Sequence, residues 1–295
     1  MKKIYFIINP ISGNGRQMLE LNEDLIRSSF SLPDYEVIIE FTKSSGDAVR
    51  YGLDAISRKS DIVVACGGDG TINEIASLLV NTNIALGIIP RGSGNGLATH
   101  FGIKKDLNSA LLNLKKSYFI QMDAGRIGSK YFFSNCGTGI VAEVIHQYES
   151  IPERKYYGYF KAGLSSLSQI GKTKELDIIV DDIKYTTKHL FISNSSIMGY
   201  NMSLTPFASV QDGLFDIVLL PAYSSFRFII FCLFAFLKKH QFLKGVIIIK
   251  AKKIRIITNN EAIKLQLDGE ALQLDQKEIE ISILPNALKI IVPKI

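Results

Sequence analysis

The sequence of 295 residues has no tryptophan, only three cysteines and only four histidines. The cysteines, Cys66, Cys136 and Cys232, are far apart, odd in number and without metal-type spacing. They therefore argue against a disulfide framework and favour a reducing, cytoplasmic environment. The N-terminus has no small-residue cleavage site after a long apolar core, so we expect no secretory signal peptide.

Long apolar runs are also scarce, and the longest covers the ten residues 228–237. A helix that spans a bilayer needs about 20 apolar residues, so this run predicts no membrane span. Ser224 or Ser225 can cap a helix here, and Lys238 and Lys239 follow where the helix dipole favours cations. We interpret the run as a buried core helix. The alternative is a helix at a lipid-facing surface, with its basic end near anionic headgroups.

Two common nucleotide-binding motifs are missing as well. There is no G-x-x-x-x-G-K-[ST] sequence, which excludes a P-loop protein, and the stretch after Ser12 lacks the third glycine of the dinucleotide fingerprint. Hydrophobic residues make up 47% of the chain, enough for a sizeable core, and 295 residues suit two domains. The net charge of +6 favours anionic partners without choosing among them.

The hydrophobic pattern changes near the middle of the chain. Over residues 1–125, short apolar runs alternate with helical segments, which predicts a three-layer α/β domain with a parallel sheet. These runs are residues 4–8, 37–41, 61–66 and 85–89. Over residues 126–295, segments that alternate apolar with polar residues predict an antiparallel, β-rich domain. The clearest are residues 253–257, 263–267 and 278–283.

Three loops in the first domain follow predicted strands, and two of them are rich in glycine. They cover residues 9–13, 67–71 and 91–96. Because the carboxyl ends of parallel strands meet at one edge of a sheet, we expect these loops to lie together. Glycine lets backbone N–H groups approach a ligand closely, and helix N-termini add positive potential. The loops therefore predict a polyphosphate site, to which side chains add polar groups: Ser12, Thr71, Ser93 and Asn95.

Carboxylates stand in two of the tight turns. Asp69 lies within the loop at 67–71, where a carboxylate would repel phosphates unless a cation stood between them, so we infer Mg²⁺. Asp268 and Glu270 flank Gly269 at the end of an alternating strand. This second turn is either an ordinary hairpin or a general base held at a strand end.

The stretch Gly67-Gly-Asp-Gly-Thr-Ile-Asn-Glu74 resembles the GGDGTxNE motif of the diacylglycerol kinase catalytic-domain family, which includes bacterial lipid kinases, sphingosine kinases and ceramide kinases. Residues 9–13 resemble the family's first nucleotide loop, Thr42 its T-x-x-x-G-D-A contact, and residues 90–95 its P-x-G-[ST]-x-N loop. Residues 268–270 resemble its distal D-G-E. The resemblance covers essentially the whole chain.

The resemblance implies a set of functional residues. It implies that Asp69, Asp268 and Glu270 are catalytic, with Glu270 as the proposed base. It implies that ATP binds at Asn9, Pro10, Ser12, Gly13, Thr42, Gly67, Gly68, Gly70, Thr71, Asn73, Glu74, Gly92, Ser93 and Asn95.

The resemblance also implies a structural Mg²⁺ site in the second domain. Asp212 stands in a D-G-L turn like the one that holds this ion in bacterial members, with backbone oxygens near Ser209 and Leu214. Asp123 resembles the aspartate that opens the family's second domain, and we include it with the metal-site candidates.

The fold implied by the resemblance is an NAD kinase-like α/β domain followed by a β-sandwich, with the last ten or so residues packed back on the first domain. The activity implied is Mg²⁺- and ATP-dependent phosphorylation of a lipid hydroxyl, on diacylglycerol, a sphingoid base or a related lipid. We therefore expect a cytoplasmic enzyme that associates peripherally with membranes, with a homodimer left open. We expect no nucleic-acid partner, because lysines alternate on strands without aromatic neighbours.

One position departs from the bacterial pattern. Many bacterial members carry aspartate where this chain has Gly96, and the sequence around it is closer to the G-S-G-N-A-L-A loop of sphingosine kinases. This departure gives a mild preference for a sphingoid base. Two alternatives stay open: an NAD or other small-molecule kinase with a similar GGDG loop, and a non-catalytic lipid sensor.

Overall fold

The structure is a computed structural model, and it describes residues 1–12, 21–116, 118–149, 174–198, 203–259 and 262–294. The chain divides into two compact units. The first comprises Met1–Ala124 with Pro285–Ile295, and the second comprises Gly125–Leu284. From the sequence we expect a domain boundary between residues 125 and 126, and we expect the final residues to pack back on the first domain.

The first unit is an α/β fold. Its strands are β1 (Lys2–Ile8), β2 (Tyr35–Phe41), β3 (Ile62–Gly67) and β4 (Ala85–Pro90). Its helices are α1 (Glu23–Ser29), α2 (Asp47–Ser57), α3 (Asp69–Leu79), α4 (Gly96–His100) and α5 (Leu107–Lys116). The sheet is parallel with strand order β2-β1-β3-β4, and Ile290 near the C-terminus pairs in parallel with Leu86 of β4.

Helices cover both faces of this sheet. Alternate residues of β1 and β3 pack with the buried residues of α1 and α5 in one core, which includes Phe6, Val64 and Leu114. The intervening residues, such as Tyr5 and Val63, are equally buried, and α2 and α3 contact β1 and β3. A sheet buried on both faces explains why its strands are apolar throughout instead of alternating.

The second unit is an antiparallel β-sandwich. Its strands are β5 (Phe119–Ile127, which begins in the first unit), β6 (Lys130–Phe132), β7 (Asn135–Thr138), β8 (Leu176–Val180), β9 (Ile183–Thr187), β10 (His189–Ser193), β11 (Phe215–Leu220), β12 (Ile247–Ala251), β13 (Lys253–Ile257), β14 (Ile263–Leu267), β15 (Glu270–Leu274) and β16 (Glu278–Ile291, which ends in the first unit). Its helices are α6 (Ile140–Glu149) and α7 (Ser225–Phe236).

Two sheets form this sandwich. One has the order β12-β11-β10-β7-β14-β15, and the other contains β16-β13-β8-β9. The inward-facing residues of both sheets share one core, with Phe132 and Phe215 stacked at 5.5 Å between ring centroids. The alternation of apolar and polar residues in β13 and β16 follows from this arrangement, since each strand buries one face. The two units confirm the expected fold class, a parallel α/β domain and an antiparallel β-sandwich.

Helix α7 contains most of the apolar run at 228–237, and Ser224 caps it by accepting a hydrogen bond from the backbone N–H of Arg227. The interpretation of this run as a fully buried core helix is wrong. Phe231 and Ala235 are buried against β10 and β11, but Leu233 and Phe236 are exposed. Within the described residues, no helix has the length and apolar content required to cross a bilayer.

Candidate functional site

The loops after β1, β3 and β4 of the first unit lie at one edge of the parallel sheet. Backbone hydrogen bonds continue beyond the strand ends and join the loops. Asn9 N–H donates to the Cys66 carbonyl at 2.9 Å, and Arg91 N–H donates to the Gly67 carbonyl at 2.8 Å. The structure therefore brings the three predicted loops together at the place where parallel α/β sheets bind ligands.

Asp69 connects two of these loops. It is the first residue of α3, and its carboxylate accepts backbone N–H groups from Asn95 and Gly96, each at 2.8 Å. Burial raises the pKa of the Asp69 carboxyl above its usual value, while these two hydrogen bonds and the nearby Lys105 act in the opposite direction. The carboxylate thus anchors the loop after β4 and keeps lone pairs available for a cation.

The glycines of these loops are required because the two backbones are in contact. A Cβ atom on Gly92 would lie 2.7 Å from the Cα of Gly68, and one on Gly94 would lie 2.9 Å from Asp69 Oδ2. Real Cβ atoms essentially never lie this close to another heavy atom, so a side chain at Gly92 would push the backbone of Gly68 away and one at Gly94 would push the Asp69 carboxylate away.

Asn95 is completely buried beneath the third loop. Its backbone is left-handed, with φ of 48°, and its side-chain amide donates to the Gly92 carbonyl at 2.6 Å. Its Oδ1 is buried and accepts no hydrogen bond from the described residues. Asn95 therefore shapes the loop and offers one acceptor within it, while Ser93 is exposed at its tip.

The other residues expected to bind ATP lie around this edge or fall outside the described part. Asn9 donates from its side chain to the Thr71 hydroxyl at 3.1 Å, which links the first two loops. Thr42 is buried after β2, and its N–H donates to the Ile8 carbonyl. Pro10, Ser12, Gly70 and Asn73 are partly exposed, and Glu74 is exposed on α3. Gly13 lies outside the described residues.

The turn after Thr42 is shaped by Asp47. Its carboxylate accepts N–H groups from Lys43 at 2.8 Å and Ser44 at 2.9 Å, and these bonds hold the pKa of Asp47 down to about 2. Gly46 adopts φ of 86°, a left-handed conformation that favours glycine. The T-x-x-x-G-D-A pattern therefore encodes the turn that follows Thr42.

Two cations at this edge were not among the expected site residues. Arg91 is buried directly after β4, and Lys105 directs its ammonium to the Ser93 carbonyl at 3.5 Å. Both add positive potential where a polyphosphate would bind. Arg91 stood within the predicted loop and could have been found by its position, whereas Lys105 has no sequence signal beyond its charge.

In the second unit, Asp268 and Gly269 form the two-residue turn between β14 and β15. Both have positive φ, 49° and 89°, as a type I′ hairpin requires. The Asp268 carboxylate accepts three backbone N–H groups, from Phe133 and Ser134 at 2.7 Å and from Asn135 at 2.9 Å. Asp268 thus ties this turn to the start of β7.

Glu270 begins β15, immediately after this turn, and is exposed. The turn beneath it is further fixed by Gln266, which accepts the Gly269 N–H at 2.9 Å and donates to the Asn135 side chain at 2.7 Å. The structure therefore assigns the two acids of D-G-E different positions. Asp268 is held by the backbone, and Glu270 faces solvent on a rigid support.

The candidate structural metal site at Asp212 contains a lysine. Asp212 accepts the Leu214 N–H at 3.1 Å, and its other oxygen lies 2.7 Å from the Lys250 ammonium. The same ammonium lies 3.2 Å from Asp216, while Ser209 accepts the Gln211 N–H at 3.3 Å. A divalent ion at Asp212 would have to displace this ammonium or stand beside its charge, so these residues do not fit Mg²⁺.

Asp123 makes a different connection. It is buried, and its carboxylate accepts the backbone N–H of Asn286 at 2.8 Å within the first unit. It therefore anchors the C-terminal segment that pairs with β4. In the part of the chain that the structure describes, no group of three or more acidic, histidine or cysteine side chains is arranged to hold a metal ion.

Comparisons with known proteins agree with this architecture. Residues 3–127 match the diacylglycerol kinase catalytic domain, and residues 135–292 match the YegS C-terminal NAD kinase beta sandwich-like domain. A diacylglycerol kinase of Bacillus subtilis (strain 168) is 28% identical over 278 residues, which cover 92% of this chain and 90% of that protein.

Solved structures share the fold. A diacylglycerol kinase from Bacillus anthracis str. Sterne has a TM-score of 0.73 at 22% identity, covering 99% of this chain and 97% of that one. Yeast NADH kinase, complexed with NADH, has a TM-score of 0.53 at 13% identity, covering 99% of this chain and 84% of that one.

The first unit has glycine loops at the edge of a parallel sheet, and the second is a β-sandwich that carries an Asp-Gly-Glu hairpin. Together with the matched domains, these features place the chain in the lipid kinase class. The chain belongs to the diacylglycerol kinase catalytic-domain family, as the resemblance implied.

The contacts of Asp268 predict a structural role that can be separated from catalysis. Asp268→Asn replaces one acceptor oxygen by an N–H donor that faces backbone N–H groups, so we expect a loss of about 1–3 kcal/mol in the free energy of unfolding. Urea denaturation measures it. Asp275→Asn, an exposed acid just beyond the same hairpin, should change little. Equal stability of Asp268→Asn and the native protein would contradict the anchoring role.

The contacts of Lys250 predict that the fold does not need Mg²⁺ at Asp212. Without nucleotide, the melting temperature of the native protein should be the same in EDTA and in excess Mg²⁺. Lys250→Met leaves Asp212 and Asp216 without their cation, so it should lower the melting temperature and make it rise again with Mg²⁺. Lys252→Met, at an exposed neighbouring position, is the control. A native protein that is stabilised by Mg²⁺ would overturn this assignment.

Proposed function

We propose that this protein transfers the γ-phosphate of ATP to the hydroxyl of a membrane lipid, with diacylglycerol as the first acceptor to test and a sphingoid base as the second. The observation that carries the proposal is Asp69, held between two glycine loops at the edge of a parallel sheet. Relatives named diacylglycerol kinase support the acceptor class.

The chain's own residues would bind the nucleotide mainly through the backbone. The loops after β3 and β4 contain glycines that are only partly buried, Gly68, Gly92 and Gly94, and Lys105 adds charge close to Ser93. These groups suit the phosphates of ATP, because phosphoryl transfer depends mostly on positioning and charge stabilisation. Asn95 offers a buried acceptor in the same loop.

Asp69 also fits a nucleotide-bound Mg²⁺. This ion commonly takes one or two carboxylates together with substrate phosphates and water, so a single aspartate is sufficient. When bound, Mg²⁺ would neutralise charge on the phosphates. Gly96 offers no second carboxylate, and its N–H instead helps to hold Asp69 in place.

Glu270 is the proposed general base. It is exposed at the start of a strand whose turn is fixed by Asp268 and Gln266, so its carboxylate has a rigid support and access to an incoming hydroxyl. It would accept the proton of the lipid hydroxyl as that oxygen attacks the γ-phosphate. This step typically contributes about 10²–10⁴-fold to a rate.

Two other functions share this framework. An NAD or other small-molecule kinase would use a similar GGDG loop, which this chain has at residues 67–70. The likeness to yeast NADH kinase, at 13% identity, concerns the fold alone. A lipid sensor without catalysis would keep the fold but not turn over ATP. The exposed Glu270 and the loop-held Asp69 favour an enzyme.

Transfer of labelled γ-phosphate from Mg-ATP to lipids in mixed micelles tests the proposal. The lipid acceptors are diacylglycerol, sphinganine, ceramide, phosphatidylglycerol and a monoacylglycerol. NAD is included as the acceptor expected of a small-molecule kinase. We expect label on one lipid class. Glu270→Gln should lower kcat by about 10²-fold or more with little change in the KM for ATP.

The controls separate the roles of the two acids. Asp69→Asn should abolish transfer and raise the Mg²⁺ concentration needed for nucleotide binding, whereas Asp275→Asn should behave like the native enzyme. Label on NAD alone would replace the lipid kinase by the small-molecule kinase. ATP binding without transfer to any acceptor would favour the sensor, and full activity of Glu270→Gln would remove Glu270 as the base.

A further inference from the structure

The outer face of helix α7 is an exposed apolar stripe. Phe226, Ile229, Leu233 and Phe236 are spaced by three, four and three residues, which places them on one side of the helix. Their exposed fractions are 71%, 45%, 60% and 82%. The opposite side already packs against the sandwich, so this stripe is not needed for the core.

The apolar surface continues beyond the helix. Leu237 is 60% exposed, and Phe242, in the short 3-10 turn that follows, is 74% exposed. The turn itself is anchored from below, since the buried His240 ring contacts the Leu204 carbonyl at 2.8 Å. Exposed side chains on a fixed support distinguish this patch from a frayed end, and contiguous apolar patches usually mark an interaction surface.

The charge around α7 has a single sign. Between residues 217 and 260 the sequence has eight lysines and arginines and no aspartate or glutamate. Three of these cations are ion-paired with acids elsewhere in the second unit: Lys250, Lys253 and Arg255. Those next to the helix are exposed and form no ion pair with the described residues: Arg227, Lys238, Lys239 and Lys244.

An apolar stripe bordered by cations matches the surface of an anionic bilayer. Apolar side chains enter the boundary between headgroups and acyl chains, and lysines or arginines beside them are attracted to an anionic leaflet. A second copy of the chain fits less well, because a two-fold contact would bring like charges together. With 12 residues, about 18 Å, the helix is too short to cross the bilayer and suits a position in its plane.

We infer that the outer face of α7 is the membrane-docking surface of this protein, and that it binds bilayers containing anionic lipid. The inference deepens the proposed function and rests on it in one respect, since a lipid kinase must reach an acceptor that lies in a bilayer. The docking surface itself requires no catalysis.

Sedimentation with vesicles, in the absence of ATP, tests the surface. The native protein should bind vesicles of phosphatidylcholine mixed with phosphatidylglycerol more tightly than pure phosphatidylcholine, and added salt should weaken this binding. The double variant Leu233→Gln, Phe236→Gln should bind the anionic vesicles about tenfold more weakly or worse, since it replaces two exposed apolar side chains of the stripe by polar amides. Leu53→Gln, a similarly exposed leucine of α2 in the first unit, is the matched control.

Three results would overturn the docking surface: no vesicle binding by the native protein, equal binding by the double variant, or equal loss in Leu53→Gln. A native dimer that the double variant converts to a monomer, with vesicle binding unchanged, would assign the stripe to a second copy instead. Light scattering measures that outcome.

A second assay keeps this inference separate from the proposed function. A short-chain diacylglycerol that is dispersed as monomers needs no membrane, so the double variant should phosphorylate it at the native rate and lose activity only on vesicle-embedded lipid. Vesicle binding that depends on α7, without transfer to any lipid, would contradict the kinase and leave the docking surface intact. If the double variant phosphorylates both the monomeric and the vesicle-embedded lipid at the native rate, the docking surface is contradicted and the kinase is supported.

Discussion

The carboxylate of Asp69 is the contact on which the candidate site depends. It accepts the N–H groups of Asn95 and Gly96 and so fixes the loop after β4 against the loop after β3. The backbones can approach this closely because Gly92 lacks a side chain, since a Cβ there would lie 2.7 Å from the Cα of Gly68. One partly buried acid therefore sets the shape of this edge of the sheet, and its raised pKa reflects a desolvation cost that the two backbone hydrogen bonds and the nearby Lys105 offset only in part.

The hairpin of the second unit is also held by an aspartate carboxylate that accepts backbone N–H groups. Asp268 accepts three backbone N–H groups from the start of β7, which makes it a positioning residue, and the neighbouring Glu270, the proposed base, is exposed. In both Asp-Gly motifs the aspartate organises backbone. The two differ in what lies beside them: Asp69 lies among the glycine loops of the parallel-sheet edge, whereas Asp268 supports the proposed base.

The sequence predicted the fold class and the grouping of the loops because both depend on local patterns. Buried parallel strands are apolar throughout, and loops that follow them must share one edge. It did not predict what Asp268 contacts, because its partners are 133 to 135 positions away in the chain. Nor could it assign the faces of α7, since a helix that is apolar on every side carries no periodic signal for which side is buried.

At Lys250 this chain differs from what the family resemblance implies, because a lysine stands where a structural Mg²⁺ was expected. An ammonium between Asp212 and Asp216 offsets part of the charge that a divalent ion would offset, and it belongs to the chain itself. With this cation built into the chain, the turn at Asp212 has a counter-charge that does not depend on metal concentration. Under the proposed function, any Mg²⁺ dependence of catalysis would therefore be expected to arise at Asp69 in the first unit.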